Sequence, residues 1–102
     1  MNYRVEFTEK ALLEFSRLPK KVQKKLSEEI TALTDDPRPA GTRKIKGRND
    51  CYRLRQGDYR LVYAVIDAML FILIVRAGHR KDVYKGMESL ANRIAKFRES
   101  EE

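Results

Sequence analysis

With 102 residues, 42% of them apolar, the chain holds enough material for one folded domain (residues 1–102) and no room for a second core. Its longest apolar run, Ala68–Val75, falls well short of the roughly 18–20 residues of a membrane-spanning helix. The N-terminal MNYRVEFTEK has no signal-peptide core, and a single cysteine, Cys51, excludes an internal disulfide and sits in no metal-ligand pattern. A cytoplasmic protein without metal or other cofactor, and without a membrane partner, is expected.

The net charge of +7 is unevenly placed. Between residues 38 and 60, Arg38, Arg43, Lys44, Lys46, Arg48, Arg53, Arg55 and Arg60 stand against Asp50 and Asp58 alone. Such an excess points to a polyanionic partner, nucleic acid above all, with a generously charged soluble surface as the plain alternative.

In chain order, Asn2–Phe7 alternates, with Tyr3, Val5 and Phe7 on one face, and predicts a strand. Thr8 is a suitable N-cap and Glu9 suits the positive end of the helix that follows. There Ala11, Leu12, Phe15 and Leu18 form the expected buried stripe. Pro19 ends this helix and can serve as the first residue of the next. The second helix carries Val22, Leu26, Ile30 and Leu33 at spacings of four, four and three, and Asp35-Asp36-Pro37 closes it. Lys20, Lys21, Lys24 and Lys25 lie off its apolar stripe, as a solvated face or an auxiliary phosphate contact. Beyond Pro37 the pattern turns to strands: a short one at Thr42–Lys46, then Cys51–Gln56, Tyr59–Ile66 and Met69–Ala77. From Gly86 the helical period returns, with Met87, Leu90, Ala91, Ile94 and Phe97 on one side. The order β-α-α-β-β-β-β-α predicts an α+β domain, in which a helical hairpin and a C-terminal helix accompany a mainly antiparallel sheet.

Gly57-Asp58 fits a two-residue type II′ turn. Gln56 then faces Tyr59, Arg55 faces Arg60, Leu54 faces Leu61, Arg53 faces Val62 and Tyr52 faces Tyr63. Alternation puts Tyr52, Leu54, Leu61, Tyr63 and Val65 on the core side and Arg53, Arg55 and Arg60 together on the other. Like charges directly opposite one another destabilise a sheet, so a fold that keeps these arginines is expected to use them for an anion. Phosphate matches the planar fork of guanidinium donors. The run Met69–Val75 is apolar on both faces and reads as a central, doubly covered strand. After it Gly78 can turn the chain, and His79, Arg80, Lys81 and Tyr84 supply two cations, a group titrating near neutrality and a phenol.

Asp50-Cys-Tyr-Arg-Leu-Arg, Asp58-Tyr-Arg-Leu-Val-Tyr, Gly78-His-Arg-Lys-Asp-Val-Tyr and the preceding Lys44-Ile-Lys-Gly47 resemble the RelE branch of the RelE/ParE toxin superfamily. The Tyr3–Phe7 strand and the Leu-Pro break at 18–19 are similar too, so the resemblance covers nearly the whole chain. It implies the toxin of a type II toxin–antitoxin system, a metal-independent endoribonuclease (mRNA interferase) that enters the ribosomal A site. There it cuts mRNA by attack of a ribose 2′-OH on the adjacent phosphate. It further implies a RelB-like antitoxin as partner. By position, Arg53 and Arg55 match cationic sites of the family, Arg60 the arginine on the scissile phosphate, Arg80 the residue assigned to leaving-group protonation, and Tyr84 the tyrosine that orients the substrate nucleotide. Lys44, Lys46, Arg48 and Lys81 flank this set as expected RNA contacts. Where relatives carry lysines, Arg53 and Arg55 stay protonated and suit charge stabilisation rather than proton abstraction. His79 and Tyr84 remain as candidate bases. The resemblance also implies that residues 86–102 form a mobile helix and tail. The alternatives are a ParE-like DNA gyrase inhibitor, which shares the fold, and a catalytically silent module that binds RNA or antitoxin.

Overall fold

A computed structural model of the chain describes residues 2–45 and 50–85. The expected C-terminal helix, together with Lys46 and Arg48, lies outside the described residues. Strand β1 spans Arg4–Phe7, helix α1 Glu9–Ser16 and helix α2 Lys20–Leu33. Strands β2 (Arg43–Lys44), β3 (Cys51–Gln56), β4 (Tyr59–Ile66) and β5 (Phe71–His79) follow, with a short 3-10 turn at Asp67–Met69 before β5. The sheet order is β1-β5-β4-β3-β2. β1 runs parallel to β5 and every other pair is antiparallel, as the α+β reading expects.

Local chemistry accounts for the helical hairpin. Thr8 caps α1 by accepting the Ala11 backbone N–H at 3.1 Å. Ala11 and Leu18 are buried and Phe15 packs on Phe7 with ring centroids 5.4 Å apart, whereas Leu12 is 56% exposed. At about 100° per residue the inner face of α1 is centred on positions 11, 15 and 18 with Glu14 at its margin, which carries Leu12 off the stripe. Pro19 stands just before α2 as its N-cap residue, and the helix stops at Leu33. The Gln23 side chain donates to the carbonyls of Ser16 and Leu18, at 3.1 and 2.8 Å, and ties the two helices together.

The sheet is buried on both sides. On the helix side Ala11, Leu18, Leu26 and Leu33 pack against Leu54, Leu61, Tyr63, Val65, Ile72, Ile74 and Ala77. On the other side Cys51, Val62, Ala64, Ile66, Phe71, Leu73 and Val75 form a second cluster, joined by Val83. β5 is therefore covered on both faces, which explains why its sequence shows no alternation. The helix-side core also holds Tyr63, whose hydroxyl donates to the Pro37 carbonyl at 2.8 Å and is pushed up to about 12 chiefly by burial. At the edge of this core Arg38 donates to Tyr52 and to both oxygens of Asp67, which also accepts from the Tyr3 hydroxyl at 2.7 Å.

Two features of β5 depart from the sequence reading. The chain does not turn at Gly78: the strand runs on through His79, with Gly78 paired to Arg60. A β-bulge also interrupts the β4–β5 ladder, since Tyr63 faces Ile74 while Val62 faces Arg76. Val75 is the extra residue, and every side chain after it changes face.

Candidate functional site

The hairpin that carries the arginines has the register expected from its turn. Arg55 faces Arg60, Leu54 faces Leu61, Arg53 faces Val62 and Tyr52 faces Tyr63. Gly57 has φ +59 and Asp58 a negative φ, the combination a type II′ turn requires. Strict alternation from this turn sets Arg53, Arg55 and Arg60 on one face.

Arg60 is the centre of the group. It is only 6% exposed, its Nη1 donates to the carbonyls of Gly57 and Tyr59 at 2.8 and 2.9 Å, and its Nε is buried without a hydrogen-bond partner. Burial first, then the charges of Arg55, Arg53 and Arg80, push its guanidinium below the ordinary value, with Tyr84 acting in the opposite sense. It nonetheless stays charged near neutrality, as arginines in proteins do. Four guanidinium groups and a phenol therefore converge on one place. Paired with Arg60 on the neighbouring strand β5 stands Gly78, and a Cβ added there would meet nothing within 4 Å among the described residues. No described side chain therefore crowds the strand beside Arg60 at this position.

The segment after β5 brings in the last two members. The Arg80 backbone N–H donates to the Asp58 carbonyl at 2.7 Å, and its Nε lies 3.6 Å from the Asp58 carboxylate. The hairpin turn thereby holds Arg80 beside the arginine face. Tyr84 is 37% exposed and accepts a hydrogen bond from Arg53 Nη1 at 3.3 Å. That contact occupies the phenol oxygen from one side and leaves its proton available to a substrate oxygen.

His79 is not part of this group. The bulge turns it to the helix-bearing face, opposite Tyr59, where the two rings meet edge-on at 5.7 Å. Its Nδ1 accepts the Lys81 backbone N–H at 3.1 Å. Lys81 itself is exposed, beyond the end of the strand. β2 divides its two cations: Lys44 is paired with Tyr52 and shares the helix-side face, whereas Arg43 is paired with Arg53 and shares the arginine face. Arg43 extends the cationic face by one strand, and two residues of strand were too few for alternation to show it. Arg76 was missed as well, because nothing in the sequence reveals that it is buried and paired with Glu14. Among the described residues no group of three or more His, Cys, Asp or Glu is placed to hold a metal, and no helix is long and apolar enough to cross a membrane.

Such a site can grip a phosphodiester and neutralise charge that builds on it. Preorganised guanidinium groups act most strongly where the surroundings are partly dehydrated, as at Arg60. Comparison with known proteins agrees in kind. The family model for the ParE toxin of the type II toxin–antitoxin system parDE matches residues 5–84. A RelE-like toxin protein of Escherichia coli is 40% identical over 88 residues, covering 82% of this chain and 92% of its own length. The mRNA interferase toxin RelE of Escherichia coli K12 is 35% identical over 83 residues, or 79% of this chain and 86% of the relative. Among solved structures, the intact Escherichia coli RelBE toxin–antitoxin complex aligns with a TM-score of 0.67 at 35% identity, over 76% of this chain and 95% of that one.

Proposed function

The chain belongs to the RelE/ParE family of type II toxins, and we propose that its arginine face is the site at which it cuts messenger RNA on the ribosome. It is the toxin of a type II toxin–antitoxin system, with mRNA interferase activity. The observation that carries the site is Arg60: a buried arginine with an unpartnered Nε, ringed by Arg53, Arg55 and Arg80, has no carboxylate paired with it among the described residues and is complementary to a phosphate. A solvated outer face would not hold a guanidinium in this position.

In the reaction proposed, the ribose 2′-oxygen forms a bond to the adjacent phosphorus and the bond from phosphorus to the 5′-oxygen breaks. The products are a 2′,3′-cyclic phosphate and a 5′-hydroxyl. Arg53, Arg55 and Arg60 neutralise the charge on the pentacovalent phosphorus, and Arg80 stands over the leaving 5′-oxygen. Of the two proton-handling candidates only Tyr84 lies among the arginines, where its hydroxyl can give its proton to the leaving 5′-oxygen while the 2′-OH proton passes through solvent water to restore the phenol. Arg43 joins Lys46, Arg48 and Lys81 as contacts to RNA, whereas Lys44, paired with Tyr52 on the helix-side face, is set apart from them. A RelB-like antitoxin is the partner, a reading supported by the RelBE complex among the structural neighbours. A ribosomal target sets the activity in the cytoplasm.

Mapping mRNA 5′ ends by primer extension, with translating ribosomes and purified protein, tests this reading. New ends should appear with the wild type and disappear with folded Arg60→Ala and Arg80→Ala variants. Cutting retained by both variants would sink the site assignment. Inhibition of DNA gyrase without new RNA ends would favour the ParE-like alternative. Salt-sensitive RNA binding with unchanged ends would leave a silent binding module.

A further inference from the structure

Arg76 takes no part in the chemistry above, yet with Arg60 it is one of two buried charged side chains among the described residues, at 7% exposure. Burying a guanidinium costs least when its donors are paired, and those of Arg76 go to two separate elements. Its Nε lies 3.2 Å from each carboxylate oxygen of Glu14 on α1. Its Nη1 donates to the Lys85 carbonyl, and its Nη2 reaches the Asp82 carbonyl at 3.4 Å. Glu14 is in turn fixed by the Ala77 backbone N–H at 3.1 Å, just beyond Ile74, where the β1 ladder ends. The bulge at Val75 sets Arg76 in register with Val62 and next to this junction.

The two carbonyls that Arg76 grips flank Tyr84. The segment from Arg80 to Lys85 has no strand or helix of its own. It is held by short turns onto the His79 carbonyl, by burial of Val83, and at its start by the Arg80 N–H on Asp58. Its far end is fastened to the body of the domain through Arg76 and Glu14. We propose that Glu14 and Arg76 are positioning residues for RNA cleavage: a strut from α1 through β5 that sets Tyr84 against Arg53 and Arg60. This rests on the RNA-cutting reading of the arginine face. The strut acts on the chemical step, because displacement by about 1 Å of a group that contacts the reacting atoms can cost about 10²-fold in rate. It leaves RNA capture alone, because the cationic face itself is untouched.

Arg76→Lys keeps the charge but cannot reach Glu14 and two carbonyls together. Single-turnover cleavage on ribosomes should fall by about 10²-fold while ribosome affinity stays within about threefold. Adding Arg76→Lys to Tyr84→Ala should cost little more than Tyr84→Ala alone, since both changes remove the same contribution. Additive losses, or affinity falling in step with rate, would overturn the proposal. If Arg76→Lys does not fold, Glu14→Gln enters the same cycle, as it keeps one oxygen for the Ala77 N–H and removes the charge and the second oxygen that hold Arg76. Tyrosine carbon-13 NMR reads the strut without any cleavage: Tyr84 should shift in either variant while Tyr3, Tyr52 and Tyr63 hold still. A wild-type protein that cuts no RNA would refute the RNA-cutting reading by itself, and an unmoved Tyr84 resonance would separately refute the strut.

Discussion

Replacing Arg60 by methionine should make the protein more stable and useless as a nuclease at once. Three local quantities set the size of the effect. Arg60 lies directly across from Arg55, a like-charge facing pair that costs about 0.2–1 kcal/mol. Its buried Nε has no hydrogen-bond partner, which costs about 1–3 kcal/mol. Against these gains stands the loss of two hydrogen bonds to Gly57 and Tyr59, about 0.5–1.5 kcal/mol each. Because Gly57 is exposed, water can replace part of that loss. The balance favours Arg60→Met by about 1 kcal/mol, or a thermal midpoint about 4–8 °C higher for a domain of this size. Cleavage should fall by about 10²–10³-fold, the usual penalty for removing one donor to a developing anion. Thermal unfolding by circular dichroism and single-turnover cleavage on ribosomes measure the two sides. Inorganic phosphate should raise the midpoint of the wild type and not of the variant. A midpoint that drops by several degrees would make Arg60 a structural arginine and refute the reasoning, as would cleavage within about threefold of wild type.

Arg43→Ala should weaken RNA binding and reduce the slope of log affinity against log salt by about 0.7–0.9, while Lys44→Ala, on the opposite face, changes the slope less; filter binding across a salt series decides between them. His79→Ala should leave the pH profile of cleavage unchanged, since the ring sits against Tyr59 on the helix-bearing face; a profile that loses a limb near neutrality would restore His79 as the base. The Asp67 carboxyl is held below its ordinary value of 3.8, first by the hydrogen bond from Arg38 and then by that from Tyr3. Its contribution to stability is therefore complete above the ordinary carboxylate range and fades as pH falls through the lowered value. Asp67→Asn should remove that part of the acid limb from a plot of unfolding midpoint against pH, and an unchanged limb would show the cluster contributes nothing.

Most of the elements, the hairpin register and the arginine trio were legible in the sequence because each depends on neighbours close in the chain. Thr8 caps the helix three residues ahead of Ala11, and Gly57 can occupy a positive φ that sets the pairing of the residues on either side of it. Once that turn forms, a period of two leaves Arg53, Arg55 and Arg60 no other common face. The RelE-like motifs added Arg80 and Tyr84, and the structure brings both to the same place, through Asp58 and Arg53. Leu12 escaped the reading because a helix of eight residues has too few turns to define its stripe from pattern alone.

The remainder depended on contacts between distant parts of the chain. No local signal marks the bulge at Val75, since a doubly buried strand is apolar on both sides and one inserted residue leaves no trace in its pattern. That residue moved His79 away from the arginines and aligned Arg76 with Val62. Likewise Arg43, not Lys44, joined the arginine face only because β2 pairs with β3 in one particular register. Glu14 and Arg76 are 62 residues apart and look like ordinary surface charges until packing buries them together. The sequence by itself determined which cations this protein would cluster; the tertiary pairing of β5 and β2 decided which neighbours complete the cluster. Strand register across a sheet is a cooperative property of many contacts, and no single stretch of chain encodes it.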